Sequence, residues 1–311
     1  MIKKIAFIVP PTVELLDLAG PVQVFTEAKF YGFDIDIKFY TYQQEPISTA
    51  GLAFGKLTDY KKAQLNEGDF LFVPGMDFEY VRSENFKLES DYFAWLKECT
   101  QKNIIVCSVC NGAFALGEAG LLNNIQCTTH WRRIKELQTR FPNAKVIADT
   151  LFVKHDNVYT TAGISAGIDL ALSILEDLKG PIFTHKVARG LVVYHRRSHN
   201  HKHESIYLDY RNHTNPSVHK IQDYLVDNLA GENNIGTLAE IVDMSPRNLS
   251  RVFKEKTGAT ILEYLTQLRV ENAKTLLKNP NLTLEHIAAS CGFKTPRQLQ
   301  RILKAKTHSN K

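Results

Sequence analysis

Ser245-Pro-Arg-Asn-Leu-Ser-Arg-Val-Phe-Lys-Glu-Lys-Thr257 recurs fifty residues further on as Thr295-Pro-Arg-Gln-Leu-Gln-Arg-Ile-Leu-Lys-Ala-Lys-Thr307, with seven of the thirteen positions identical. Just upstream, Leu238-Ala239 corresponds to Ile287-Ala288, and Met244 to Phe293. Self-similarity of this kind marks a duplicated structural unit. Each copy reads as a helix, a tight turn and a second helix. Ala239 or Ala288 is small enough for two helices to cross closely. Asp243 or Gly292 occupies the turn, where glycine enters the left-handed region freely and aspartate tolerates it. Ser245 or Thr295 then caps a new helix, with Pro246 or Pro296 at its first position, where a missing N–H costs nothing.

Periodicity sorts the faces of these second helices. Leu249, Val252 and Phe253 turn inward, as do Leu299, Ile302 and Leu303. The outer face carries Arg247, Asn248, Ser250, Arg251 and Lys254 in the first copy, and Arg297, Gln298, Gln300, Arg301 and Lys304 in the second. Arg, Asn and Gln can grip guanine or adenine edges with two hydrogen bonds, and Lys or Arg can hold phosphates. A solvated amphipathic surface is the ordinary reading of one such helix; two capped helices with matching polar residues outweigh it. Charge agrees. Residues 196–311 hold 18 Lys and Arg against 11 Asp and Glu, whereas residues 1–195 hold 20 against 22. That asymmetry points to a polyanion partner, double-stranded DNA, for the C-terminal part alone.

Working outward, the polar run from Arg196 lacks periodicity and is expected to be a linker over 196–215. It separates a domain at 1–195 from one at 216–311. Six of the 11 histidines fall between positions 195 and 219. His199, His201 and His203 have no second ligand cluster of familiar spacing, so a solvated linker is expected there and no metal. After Pro216 everything reads as short helices.

The first half alternates apolar runs (Ile5–Val9, Ile35–Phe39, Phe70–Val73, Ile104–Val109) with amphipathic stretches such as Asp91–Lys97 and Arg132–Phe141. Runs apolar throughout suit strands covered on both faces, so an α/β domain with a parallel sheet is expected. A hairpin is expected at His155–Val158 and a helix at Ser165–Leu178, ended by Gly180-Pro181. Ile104-Ile-Val-Cys-Ser-Val-Cys110-Asn-Gly112 runs from a buried strand into a helix. A cysteine at such a junction reads as a nucleophile elbow, its sulfur near backbone N–H groups that lower its pKa. A buried structural cysteine is the alternative. Cys107 and Cys110 also spell C-x-x-C, but a spacing of three within a strand points the two side chains apart, against a disulfide.

Two resemblances sharpen this. Residues 217–307 resemble the double helix-turn-helix domain of AraC/XylS-type transcriptional regulators, through Leu238-Ala239, Met244-Ser-Pro-Arg247, Leu249-x-Arg-x-Phe-Lys254, Thr257-Gly258 and Ile287-Ala-x-x-Cys-Gly-Phe293. Asp243 departs from the usual glycine. Gly258 and Tyr264 supply the closing segment of the first module, and the sequence to Lys311 holds no counterpart for the second. The last helix is therefore expected to be the less protected one.

Residues 3–195 resemble the ThiJ/PfpI, class I glutamine-amidotransferase-like domain. The matching stretches are Leu15-Leu-Asp-Leu-Ala-Gly-Pro21, Cys127-Thr-Thr-His-Trp131 and Thr161-Ala-Gly-Ile-Ser-Ala-Gly-Ile-Asp169. The resemblance implies a flavodoxin-like parallel-sheet sandwich and a pocket of Asp17, Gly75, Cys110, Asn111 and His130. Gly75 would offer a backbone N–H, and Met76 stands where a second glycine is common. Together the two domains resemble the GlxA-like subgroup of AraC-type regulators. That implies a DNA-binding regulator whose first domain takes a small-molecule effector or mediates dimerisation, without a cofactor or enzymatic turnover. The alternative is a Cys-dependent hydrolase or hydratase with an appended DNA-binding module; a thiol redox sensor at Cys110 is a third reading. No apolar run approaches the roughly 20 residues of a membrane span, and Met1–Pro10 is too short for a signal peptide, so no membrane partner and a cytoplasmic location are expected.

Overall fold

The structure, a computed structural model, describes residues 2–43, 45–163, 165–193, 210, 213, 215–277, 279 and 282–308, with side chains up to residue 303. The expected linker at 196–215, with His199, His201 and His203, lies outside the described residues apart from positions 210, 213 and 215.

The N-terminal part runs β1 (Lys3–Ile8), α1 (Leu15–Phe30), β2 (Ile35–Thr41), β3 (Thr58–Asp59), β4 (Phe70–Val73), α2 (Phe78–Arg82), α3 (Glu84–Lys87), α4 (Ser90–Gln101), β5 (Ile105–Ser108) and α5 (Ala113–Glu118). There follow β6 (Gln126–Cys127), α6 (Ile134–Arg140), β7 (Lys145–Val146), β8 (Phe152–His155), β9 (Val158–Thr161) and α7 (Ala166–Lys179). Seven strands form one sheet in the order β3-β2-β1-β4-β5-β9-β8, parallel except for the β8–β9 hairpin. Strands β6 and β7 pair separately.

Strand alternation explains why the central strands are apolar throughout. Ala6, Ile8, Leu71, Val73 and Val106 join Phe86, Leu96 and Phe114 in one core. Phe7 and Phe72 stack at 5.0 Å, and each lies within 6.5 Å of Phe25 from α1. This is the doubly wound, flavodoxin-like sandwich, with helices covering both faces.

From Pro181 onward the described residues build helices: α8 (Pro181–Gly190), α9 (Pro216–Asp227), α10 (Ile235–Ile241), α11 (Pro246–Thr257), α12 (Ile261–Leu276), α13 (Leu284–Ser290) and α14 (Pro296–His308). One core joins Val218, Ile221 and Leu225 to Leu238, Leu249, Phe253, Tyr264 and Leu268. A second joins Val270 and Ala273 to Ile287, Ala288, Cys291, Phe293 and Leu299. Helix α12 serves both, entered through a capping box in which Thr260 and Glu263 satisfy each other's backbone N–H.

The compact units divide between Ile174 and Leu175, inside α7, and α8 belongs to the second. Ile182 packs into the core shared by α9 to α12. A side chain at Gly180 would lie 2.6 Å from Thr275 Cγ2. Arg189 donates to Asp227 at 3.1 Å.

Candidate functional site

In a doubly wound sheet, ligands bind beyond the carboxyl ends of the strands, near the point where strand order reverses. Here the reversal lies between β1 and β4. The segments following β1, β4 and β5 meet there around a cavity of about 260 Å³ lined by Glu14, Asp17, Met76, Cys110, Asn111, His130, Arg132 and Arg133, among others. Thus four of the five residues expected in the pocket, Asp17, Cys110, Asn111 and His130, face one space.

Cys110 leaves β5 with φ of 57°, in the left-handed region that a side chain rarely adopts. Glycines make that geometry possible. A side chain at Gly112 would strike the Val73 carbonyl, and one at Gly163 would lie 2.6 Å from Cys110 Sγ. Thr129 Oγ1 donates to the Cys110 carbonyl at 2.8 Å, tying the strand that leads to His130 against the elbow. Gly75 is a place where nothing else fits, since a Cβ would run into Asp17, Asn111 and Cys110. Its carbonyl accepts from the Glu14 N–H at 2.9 Å. Asn111 closes both halves of its amide on Met76: Oδ1 accepts the Met76 N–H at 2.9 Å, and Nδ2 donates to the Met76 carbonyl at 2.7 Å. That pair fixes the loop after β4.

The electrostatics correct one expectation. Burial pushes the Cys110 thiol well above its usual range; the charge of Asp17 and its hydrogen bond to the thiol push the same way. The Asn111 backbone N–H acts in the thiolate's favour and is outweighed. The elbow therefore holds a protonated thiol at neutral pH. His130 is held below its usual pKa, first by burial and then by Arg132 and Arg133. Its Nδ1 accepts the Arg132 N–H at 3.4 Å, which leaves the proton of the neutral ring on Nε2. Arg133 lies 3.5 Å from the Phe78 ring centroid, and Arg132 is 5.1 Å from that of Trp131. Glu14, Arg132 and Arg133 escaped the sequence reading. The available signal was the Arg-Arg pair directly after His130-Trp131.

In the second unit, each turn places a left-handed residue four positions after the paired alanine, Ala239 or Ala288. Asp243 has φ of 53° and Gly292 of 70°. The Met244 N–H bonds to the Ala239 carbonyl at 3.0 Å, and the Phe293 N–H to that of Ala288 at 2.9 Å. Ser245 Oγ caps α11 on the Asn248 N–H, and Thr295 Oγ1 caps α14 on that of Gln298. Arg247, Asn248, Ser250, Arg251 and Lys254 are all exposed, as are Arg297, Gln300 and Arg301. Gln298 is half-buried, and its Oε1 accepts the Lys294 N–H at 3.0 Å. The side chain of Lys304 lies outside the described residues.

Residues 3–177 match the DJ-1/PfpI family, more than half of the chain, and residues 238–310 match a helix-turn-helix domain. The chain belongs to the DJ-1/PfpI family. Its DJ-1/PfpI unit is followed by the AraC-type double helix-turn-helix. The HTH-type transcriptional regulator GbdR of Pseudomonas aeruginosa is 28% identical over 187 residues, 60% of this chain. The match spans 50% of that regulator, so the chain covers about half the length of this relative. The isonitrile hydratase of Pseudomonas putida is 30% identical over 181 residues, 58% of this chain and 74% of the hydratase. The crystal structure of an AraC family transcriptional regulator from Pseudomonas putida superposes with a TM-score of 0.53 at 20% identity, covering 61% of this chain and 99% of that one. No helix among the described residues is long and apolar enough to cross a membrane.

Proposed function

We propose that this chain is a sequence-specific DNA-binding transcriptional regulator whose DJ-1/PfpI unit binds a small-molecule effector or mediates dimerisation. The observation that carries the reading is the pair of matched turns at Asp243 and Gly292, each presenting a capped helix with exposed arginines. Arg247, Asn248, Arg251, Arg297 and Arg301 would face base edges, with Ser250, Gln300, Lys254 and Lys304 beside them toward the backbone and Gln298 holding the turn that enters α14. Asp17, Gly75, Cys110, Asn111 and His130 would shape the effector pocket. Such a regulator works in the cytoplasm, as a homodimer. The test is selection of duplexes from a random pool by the full chain at two salt concentrations. A consensus should emerge, and Lys254→Ala should weaken all sequences alike while flattening the salt dependence by about one phosphate. A pool without enrichment would sink the regulator reading.

A second reading, a Cys-dependent hydrolase or hydratase, draws on one observation: Cys110 sits in a left-handed elbow beside Asp17. The protonated thiol weighs against it, because the thiolate is the nucleophile. Alkylation of Cys110 at pH 8 should be slow and should quicken in Asp17→Asn, which removes a charge that raises the thiol pKa. Fast alkylation of the unaltered chain, together with turnover of small amides, isonitriles or glyoxals, would favour the enzyme.

A further inference from the structure

Asn248, Arg251 and Glu255 follow one another at spacings of three and four, so they lie along one stripe of α11. Their side chains are joined. Arg251 Nη2 donates to Asn248 Oδ1 at 3.1 Å, and Nη1 donates to Glu255 Oε2 at 3.0 Å. The other Glu255 oxygen takes Lys256 Nζ at 2.9 Å. The Arg251 guanidinium is thus laid along the helix and engaged at both ends, while all three residues remain exposed.

We infer that Glu255 is a positioning residue that sets sequence discrimination through Arg251, an inference that rests on the DNA-binding reading above. An arginine fork reads guanine with two parallel N–H bonds. To do so, Arg251 must exchange bonds it already makes with Asn248 and Glu255. A matching base returns two hydrogen bonds for those given up. A mismatched base or a lone phosphate contact returns fewer, and in either case the Glu255 carboxylate is brought toward the DNA polyanion. Specificity is a difference of affinities, and a group that penalises the wrong partner more than the right one increases it.

The repeat supplies an internal contrast. Around Arg301 the positions three and four residues away are Arg297, Gln298, Lys304 and Ala305, none of them acidic. Glu255 has become Ala305. Arg301 meets no carboxylate on its own helix, so nothing there penalises a wrong base or a lone phosphate. Helix α11 then discriminates more sharply than α14.

The experiment uses the full chain, the duplex enriched from the random pool and a scrambled duplex, titrated over a range of salt. Glu255→Ala should raise affinity for the scrambled duplex about tenfold at low salt and for the enriched duplex by less than about threefold. Glu255→Gln keeps an acceptor for Arg251 without the charge, and its discrimination should fall between the two. Ala305→Glu should widen the gap between the duplexes. Equal gains on both duplexes in Glu255→Ala would reduce the effect to bulk charge and overturn the proposal, as would no change on either. Failure of the unaltered chain to enrich any sequence is a separate result, and it overturns the DNA-binding reading itself.

Discussion

Helices α11 and α14 share a cap, a proline at the first turn and a left-handed residue ahead of it, three positions before the proline in α11 and four in α14, with hydrogen bonds that agree within a few tenths of an ångström. Past the first turn they part. Phe253 of α11 is fully buried, 5.6 Å from the Tyr264 ring, in a core that also gathers α9 and α10. Its counterpart Leu303 is half-buried at the edge of a smaller cluster. Asn248 turns its carbonyl to Arg251, whereas Gln298 turns its own back to Lys294. Repeated sequence thus reproduces backbone geometry, which depends on neighbours along the chain. What a side chain does depends on neighbours in space, and these differ between the copies.

The largest expected effect tests the cores. Phe253→Ala should cost about 3–5 kcal/mol, the range for emptying a buried aromatic site. Leu303→Ala, at a half-buried position, should cost about 1–2 kcal/mol. Hydrogen exchange on the full chain reads both, and in the unaltered protein the amides of α14 should open more readily than those of α11. Equal protection and equal losses would break the comparison at its root.

Next come the turns. Gly292 is hemmed in by the Arg269 guanidinium and the Leu229 carbonyl, so Gly292→Ala adds a close contact to the strain of a positive φ. A loss of about 2 kcal/mol is expected. Asp243 is exposed and carries its positive φ without such crowding. Asp243→Gly should stabilise by up to about 1 kcal/mol, seen as a small rise in the unfolding midpoint. A destabilised Asp243→Gly would mean that the carboxylate has a structural task in the first turn that glycine cannot take over.

These contrasts also explain what was legible beforehand. The central strands, the hairpin and both helix-turn-helix copies could be read because each depends on local alternation, turn chemistry or capping. The place of α8 could not, because it packs with α9 to α12 through Ile182 and Arg189, residues ordinary in sequence. In the pocket, the stretches holding Asp17, Cys110 and His130 were visible as motifs. The protonation of Cys110 was not, since the balance between one helpful N–H and the burial and charge opposing it exists only in three dimensions. The same holds for Gln298, whose partner is a backbone N–H four residues upstream.

On DNA, Arg247→Ala should lower affinity for the enriched duplex by about 1–3 kcal/mol and relax preference at one base position. Arg297→Ala should cost less, because the helix that carries it is expected to be the less firmly held of the two. Binding to single-base variants of the enriched duplex measures both. A larger loss for Arg297 would reverse the order of the two helices.

The smallest effect separates Asn248 from Gln298, which look equivalent in sequence. Gln298 spends its carbonyl on the Lys294 N–H, so its first task is to hold the turn that enters α14. Removing one such exposed bond costs about 0.5–1 kcal/mol and should appear as faster exchange of the Lys294 amide. Base preference in Gln298→Ala should stay nearly unchanged, because an amide whose oxygen is turned back to the Lys294 N–H does not present donor and acceptor side by side to an adenine edge. Asn248 makes no backbone bond with its side chain among the described residues; its carbonyl meets an exposed guanidinium that can exchange this bond for one to a base. Asn248→Ala should therefore alter base preference while leaving protection of α11 almost as it was. If both alanine variants shifted base preference alike, Gln298 would have to abandon Lys294 on DNA, and the distinction between a reading side chain and a capping one would hold only for the free protein.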